Sequence, residues 1–98
     1  MVQVSITAFT GELSNFTDIF SAALGHSLFG LTDIYDSEGR CRCKFIAPAL
    51  KRAARKMRTK KFQADHDAQC CEAAAAEFDA LVDQCQATPD GSISIWGH

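Results

Sequence analysis

The segment RCRCKFIAPALKRAARKMRTKK, residues 40–61, determines how this chain is expected to fold and what it is expected to contact. It holds all ten Lys and Arg residues of the chain and none of the twelve acidic residues. Its first part alternates basic and apolar residues, which is typical of a strand, and its second part repeats apolar residues at helical spacing. We therefore predict a strand followed by a helix, with Pro48 in the first turn of the helix.

The predicted strand is the second half of a β-hairpin. The preceding residues 28–39, LFGLTDIYDSEG, contain a strand-like run that ends in the turn DSEG, where Gly39 is suited to a positive φ. In this arrangement Cys41, Cys43 and Phe45 share one face of the second strand. The basic residues between them lie on the other face.

The residues before the hairpin predict one strand and one helix. VQVSITAF, residues 2–9, alternates apolar and polar residues as a half-buried strand does. TGELSNFTDIFSAALG, residues 10–25, has apolar residues at helical spacing. Thr10 or Ser14 is the expected cap of this helix, and Gly25 is its expected end.

The residues after Pro48 predict a long helix that is broken in the middle. Residues 49–86 contain no Gly or Pro, and a single helix of that length spans ~57 Å. A domain of this size has a radius of gyration of only ~13 Å. We therefore predict a break between residues 59 and 65, with Asp65 as the cap of the second piece. PDG at 89–91 predicts a turn, and SISIW at 92–96 predicts a last strand.

The predicted order of elements is β-α-β-β-α-β. This order indicates an α+β protein with a ferredoxin-like, split βαβ sheet and a long or broken second helix. With 98 residues, 47% of them hydrophobic, the chain is expected to form one domain, residues 1–98.

Composition also limits the class of protein. Five Cys residues, an odd number with two of them adjacent, argue against a disulfide framework and favour a reducing compartment. The sequence shows no signal peptide and no apolar run of the ~20 residues that a bilayer requires. We expect a cytoplasmic protein without a membrane partner.

The basic segment predicts an anionic counterpart. Ten cations with no acid among them repel one another, so an external anion, the acids of the chain itself, or those of a second copy in a homodimer must balance them. Nucleic acid is one such anion, although the pI near 5.8 is low for a nucleic-acid-binding protein. This alternative uses the residues Arg40, Arg42, Lys44, Lys51, Arg58, Lys60 and Lys61.

An acidic row on the last predicted helix leads to the preferred hypothesis. Carboxylates spaced along one helix face can occupy a protein groove meant for phosphates. We therefore predict a non-enzymatic interaction protein that docks by charge on a nucleic-acid-processing protein or ribonucleoprotein complex and inhibits or adapts it. The predicted partner-binding residues are Glu72, Asp79, Asp83, Arg52, Arg55 and Lys56.

The charge segregation and small size suggest a general resemblance. The chain resembles the small inhibitors made by phages and mobile elements, including the anti-CRISPR proteins. The resemblance is one of overall character and rests on no residue motif, so no functional residue carries over from it.

A zinc-stabilised or thiol-reactive small domain is the second alternative. Cys41, Cys43, His66 and Cys70 together offer a tetrahedral set of ligands. Buried thiols that act as small apolar residues explain the same cysteines without a metal, so no cofactor is expected. The sequence contains no phosphate-binding loop, nucleophile elbow or zinc-protease motif, and we do not expect an enzyme.

Overall fold

A computed structural model describes residues 2–6, 9–14, 16–25, 42–88, 90–91 and 93–97 of the chain. Four helices and three strands lie in this part. The strands are β1 (Val2–Ile6), β2 (Phe9–Leu13) and β3 (Ile93–Gly97). The helices are α1 (Thr17–Leu24), α2 (Cys43–Met57), α3 (Lys60–Ala64) and α4 (Ala68–Ala87).

The three strands form an antiparallel sheet in the order β2-β1-β3. β1 and β2 form a hairpin in which Ile6 pairs with Phe9, and β3 returns from the end of the chain to pair Ile93 with Ile6. Ile93 and Ile95 are buried, so every second residue of β3 faces the core. The predicted last strand is confirmed, with bounds Ile93–Gly97. The first strand, predicted over residues 2–9, is confirmed only for Val2–Ile6, because Phe9 belongs to β2.

The helix after the hairpin is shorter than predicted. α1 begins after Phe16, which makes no side-chain capping hydrogen bond, so the predicted caps Thr10 and Ser14 are wrong. Residues 9–13 form β2 instead. The predicted end at Gly25 is confirmed, because Gly25 adopts the left-handed conformation with φ 82° and donates its N–H to the Ser21 carbonyl.

The core lies mainly between α2 and α4, which run antiparallel. Ile46, Leu50 and Met57 of α2 are fully buried, because their spacing places them on one helix face. Phe78 of α4 stacks on Phe20 of α1 with ring centroids 4.5 Å apart. This contact attaches α1 to the helix pair.

The long helical segment is interrupted between α2 and α4, as predicted, and the short α3 lies between them. α2 ends at Met57, and Thr59 caps the short α3 by accepting the N–H of Phe62. α4 is capped by Asp67, whose carboxylate accepts the N–H of Cys70 at 2.9 Å. The predicted break is confirmed, but the cap is Asp67 rather than Asp65.

The predicted ferredoxin-like α+β fold is wrong. Helices make up most of the described residues, and the three strands have only five residues each. β1 and β2 follow each other directly, and no pair of strands in the sheet is parallel. A split βαβ arrangement needs parallel strands joined through a helix, so this chain does not have it.

The predicted strand around Cys43 is the main cause of that error. Residues 43–47 are helical, and Pro48 is the sixth residue of α2 rather than part of its first turn. The alternation that indicated a strand also fits a helix, because Cys43, Ile46 and Leu50 are buried at i, i+3 and i+7. The first half of the predicted hairpin and its turn lie outside the described residues.

Candidate anion-binding surface

Six cations lie on the exposed sides of α2 and α3, and we call this region the basic surface. All six side chains are exposed. Four of them fall within residues 51–56, a rise of only ~7.5 Å along α2. The amphipathic character of α2 places them opposite its buried face. The basic surface consists of Lys51, Arg52, Arg55, Lys56, Lys60 and Lys61.

The basic surface has no internal counterions in the described part of the chain. The ion pairs found there involve Arg42, Lys44 and Arg58, and none involves a residue of the basic surface. The first turn of α2 has no acidic residue, and neither does that of α3. Like charges held this close repel one another, and no acid among the described residues forms an ion pair with the basic surface to offset that repulsion.

The beginning of the basic segment is neutralised within the molecule. Lys44 Nζ lies 3.0 Å from the Asp90 carboxylate, and Arg42 lies 3.8 Å from it. The hydrogen bond and charge of Lys44 hold the pKa of Asp90 below its ordinary value. The Cys43 N–H donates to the Gly91 carbonyl at 2.9 Å, so this end of α2 is attached to the turn before β3. Arg40 lies outside the described residues.

Arg58 is also used internally. Its guanidinium lies 2.8 Å from the Asp79 carboxylate and 3.7 Å from that of Glu72. The hydrogen bond that Arg58 donates to Asp79 is the main reason that the pKa of Arg58 is raised. Gln63 Nε2 donates to Glu72 at 3.0 Å and to the Met57 carbonyl at 3.1 Å. These contacts hold α3 against the end of α2 and the side of α4.

The predicted acidic row is therefore partly neutralised within the chain. Glu72 and Asp79 share Arg58, while Asp83 is exposed and forms no ion pair with the described residues. A carboxylate that is already paired offers less charge to a basic groove than a free one. Of the predicted contact residues, Arg52, Arg55 and Lys56 form no ion pair within the described residues, and their binding role stays a prediction.

Phe45 is a surface residue that the sequence did not identify. The predicted strand placed it on the inner face, but its side chain is 38% exposed on α2. Lys44 Nζ lies 5.5 Å from its ring centroid. On a helix, Phe45 aligns with Arg52 and Lys56 at i, i+7 and i+11. That spacing is the sequence signal that would have placed an aromatic ring on the same helix face as Arg52 and Lys56, about two turns away from Arg52.

The structure does not bring the predicted zinc ligands together. Cys43 is buried and shares a hydrogen bond with Cys85. Cys70 lies fifteen residues before Cys85 on α4, about 22 Å away along the helix. Among the described residues, no three His, Cys, Asp or Glu side chains are grouped closely enough to hold a metal ion. Cys41 lies outside the described residues.

Cys70 and Cys71 do not have the environment of reactive cysteines. Desolvation raises the pKa of Cys70 and of Cys71, and the nearby Asp67 adds to both shifts. Reactive thiols need a lowered pKa, because the thiolate is the nucleophile. The ring of His66 stacks on Phe62 with centroids 4.4 Å apart. The thiol-reactive alternative therefore has little support.

No family model, curated protein or solved structure matches this chain. The resemblance to phage inhibitors accordingly has no support from known proteins. In the part of the chain that the structure describes, no helix combines the length and the apolar composition needed to cross a membrane.

Proposed function

We propose that this protein is a non-enzymatic binding protein that attaches through the basic surface to the phosphate backbone of a nucleic acid, as part of nucleic-acid-processing machinery. The observation that carries the proposal is the contrast between paired and unpaired cations. Arg42, Lys44 and Arg58 have carboxylate partners, while the six residues of the basic surface have none among the described residues. Phosphates are the anions that such a cluster binds without a preformed pocket.

The spacing of the cations supports a backbone contact. Phosphates on one DNA strand repeat at ~3.4 Å of rise, and consecutive turns of α2 present cations every ~5.4 Å. The two repeats do not coincide, but the long, flexible Lys and Arg side chains on two consecutive turns can each reach a different phosphate. Such contacts position a protein on nucleic acid but read little sequence. Phe45 adds a ring that stacks on an unpaired base, which favours single strands.

A second candidate is docking on an acidic surface of a protein complex, which the protein then inhibits or adapts. The exposed Phe45 on the same helix face as Arg52 favours it, because aromatic residues and Arg are enriched at the centres of protein interfaces. The net charge of −2 for the whole chain also fits a partner that is recognised by a local patch. Binding to naked nucleic acid separates the two candidates.

The test compares two triple variants that each remove three cations. The first, Lys51→Ala/Arg52→Ala/Arg55→Ala, removes half of the basic surface. The second, Arg42→Ala/Lys44→Ala/Arg58→Ala, removes paired cations and changes the net charge equally. Each phosphate contact adds about one to the slope of log affinity against log salt.

We expect the first triple variant to lower the slope of log affinity against log salt by about three. The second should leave this slope nearly unchanged. The readout is fluorescence-polarisation binding to a labelled oligonucleotide over a salt series. Equal losses in the two variants would show that net charge alone drives binding, and would contradict a defined basic surface.

A further inference from the structure

A pocket opens at the corner where α2 turns into α3. Its volume is about 430 Å³, which is within the range of small-molecule sites. Side chains of α1, α2, α3 and the segment before α4 line it. The lining residues are Ala22, Lys56, Thr59, Lys61, Phe62, Asp65 and His66. We call it the corner pocket.

The floor of the corner pocket is held by hydrogen bonds within the chain. Thr59 Oγ1 donates to the Lys56 carbonyl at 2.8 Å and accepts the N–H of Phe62 at 3.2 Å. Phe62 is 8% exposed and packs its ring against that of His66. The Thr59 hydroxyl is therefore occupied, and the groups left to meet a ligand are the charged side chains and the imidazole.

The charged groups around the corner pocket favour an anion. Lys56 and Lys61 both line it, and neither forms an ion pair with any described residue. His66 adds two ring nitrogens that can donate hydrogen bonds when protonated. Asp65 also lines the pocket and opposes an anion, so the lining contains two lysines and one aspartate. A dianion that binds both ammonium groups gains more than the single carboxylate repels.

We propose that the corner pocket binds a phosphate monoester, with Lys56 and Lys61 holding the phosphate oxygens and His66 donating a further hydrogen bond. The phosphate belongs either to the 5′ end of a nucleic-acid strand or to a free mononucleotide. The inference goes beyond the proposed backbone contact and does not need it, because a diester backbone passes over the exposed helix face, whereas a monoester enters a recess.

The first test titrates the protein with inorganic phosphate while backbone amide shifts are followed by NMR. We expect shifts centred on Lys61, Phe62 and His66, with a dissociation constant of about millimolar size. Lys61→Ala should abolish these shifts. Lys60→Ala removes the same charge from the neighbouring residue, which does not line the corner pocket, and it should leave them in place.

Asp65→Asn provides a gain-of-function variant. Because it removes the one carboxylate of the corner pocket, it should tighten phosphate binding about three- to tenfold. Equal losses in Lys60→Ala and Lys61→Ala, or no tightening in Asp65→Asn, would overturn the proposal and indicate diffuse attraction of anions. An absence of shifts up to about 20 mM phosphate would also overturn it.

The second test separates the two sources of the phosphate. A 5′-phosphorylated oligonucleotide is compared with the same strand bearing a 5′-hydroxyl, and 5′-adenosine monophosphate serves as the competitor. A gain of about fivefold or more from the 5′-phosphate, lost in Lys61→Ala, supports the strand end as the ligand. Strong competition by the mononucleotide without such a gain supports the free nucleotide.

The two proposals fail in different ways. If oligonucleotides do not bind but inorganic phosphate still shifts Lys61 and His66, the corner pocket stands and the backbone contact fails. If oligonucleotides bind with a steep salt dependence but neither phosphate nor the 5′-phosphate has an effect, the corner pocket is overturned and the backbone contact stands.

Discussion

The guanidinium of Arg58 lies 2.8 Å from the Asp79 carboxylate and connects the end of α2 to the middle of α4. This pair distinguishes Arg58 from the neighbouring cations of the same segment, which have no partner among the described residues. The basic segment thus has two parts: one that helps to hold the helices together, and one that faces outward. The second part is the basis for the proposed binding activity.

Arg58→Ala should destabilise the protein, and Arg55→Ala should not. Arg58 is 39% exposed, so the loss of its two ion pairs is expected to cost only about 0.5–1 kcal/mol. Arg55→Ala removes the same side chain less than one turn earlier on α2, where there is no ion pair. Urea denaturation measures both variants. If Arg55→Ala lowers the free energy of unfolding as much as Arg58→Ala does, the distinction between structural and outward-facing cations is contradicted.

Phe78→Ala should be among the most damaging single substitutions. Phe78 and Phe20 are fully buried and stacked at 4.5 Å, so the truncation leaves a cavity at the junction of α1 and α4. We expect a loss of about 3–5 kcal/mol in the free energy of unfolding. Phe45→Ala is the control, because Phe45 is exposed and should cost no more than about 0.5 kcal/mol. Similar losses in the two variants would be inconsistent with the described core.

The cap of α4 should be sensitive to acid. The backbone N–H of Cys70 lowers the pKa of Asp67 below its ordinary 3.8, so the cap stabilises the fold fully above pH 3.8 and loses this effect as pH falls through the lowered pKa. Asp67→Ala should lower the thermal midpoint at neutral pH. Asp67→Asn should retain most of it, because an amide oxygen accepts the same bond.

The acid dependence of the cap is measured by thermal melts from neutral pH down to acid. The difference in thermal midpoint between the natural protein and Asp67→Ala should narrow once the pH falls below 3.8. A difference in thermal midpoint that stays constant with pH would contradict the capping role. An Asp67→Asn variant as unstable as Asp67→Ala would contradict it as well.

The buried thiols should make the protein less stable at high pH. Burial, and then the hydrogen bond with Cys43, raises the pKa of Cys85 from 9.0 to about 12. Between these values the unfolded chain releases the Cys85 proton and the folded chain keeps it, so stability falls as pH rises above 9. The free energy of unfolding of Cys85→Ala should fall less than that of the natural protein between about pH 9 and 10.5. A loss of equal size in the variant would assign the effect to other groups.

The broken helix was predictable from the local sequence pattern, whereas the hairpin formed by β1 and β2 was not. The break between residues 59 and 65 follows from Lys61, which interrupts the apolar stripe and is exposed in the structure. Leu13 at the end of β2 also fits a helix, because it continues the apolar stripe of Phe16 and Phe20 at i, i+3 and i+7. The conformation of β2 depends on pairing with β1, and the local pattern contains no information about that partner.

The candidate surface was predictable in composition but not in detail. The sequence shows that the cations are concentrated in one segment. It does not show that Arg58 turns towards Asp79 or that Lys44 meets Asp90, because both contacts join residues that are distant along the chain. The corner pocket was missed for the same reason: Ala22 and His66 meet there only after α1 packs beside the corner of α2 and α3.

The most direct test of the central claim is fluorescence-polarisation binding to labelled duplex DNA and single-stranded RNA at about 50 and 200 mM salt. If the basic surface contacts four or more phosphates, affinity should fall about a hundredfold or more for duplex DNA and about fiftyfold or more for single-stranded RNA between these conditions. The result that would contradict the account is no binding to either nucleic acid at the lower salt, which would assign the unpaired cations to an acidic protein surface.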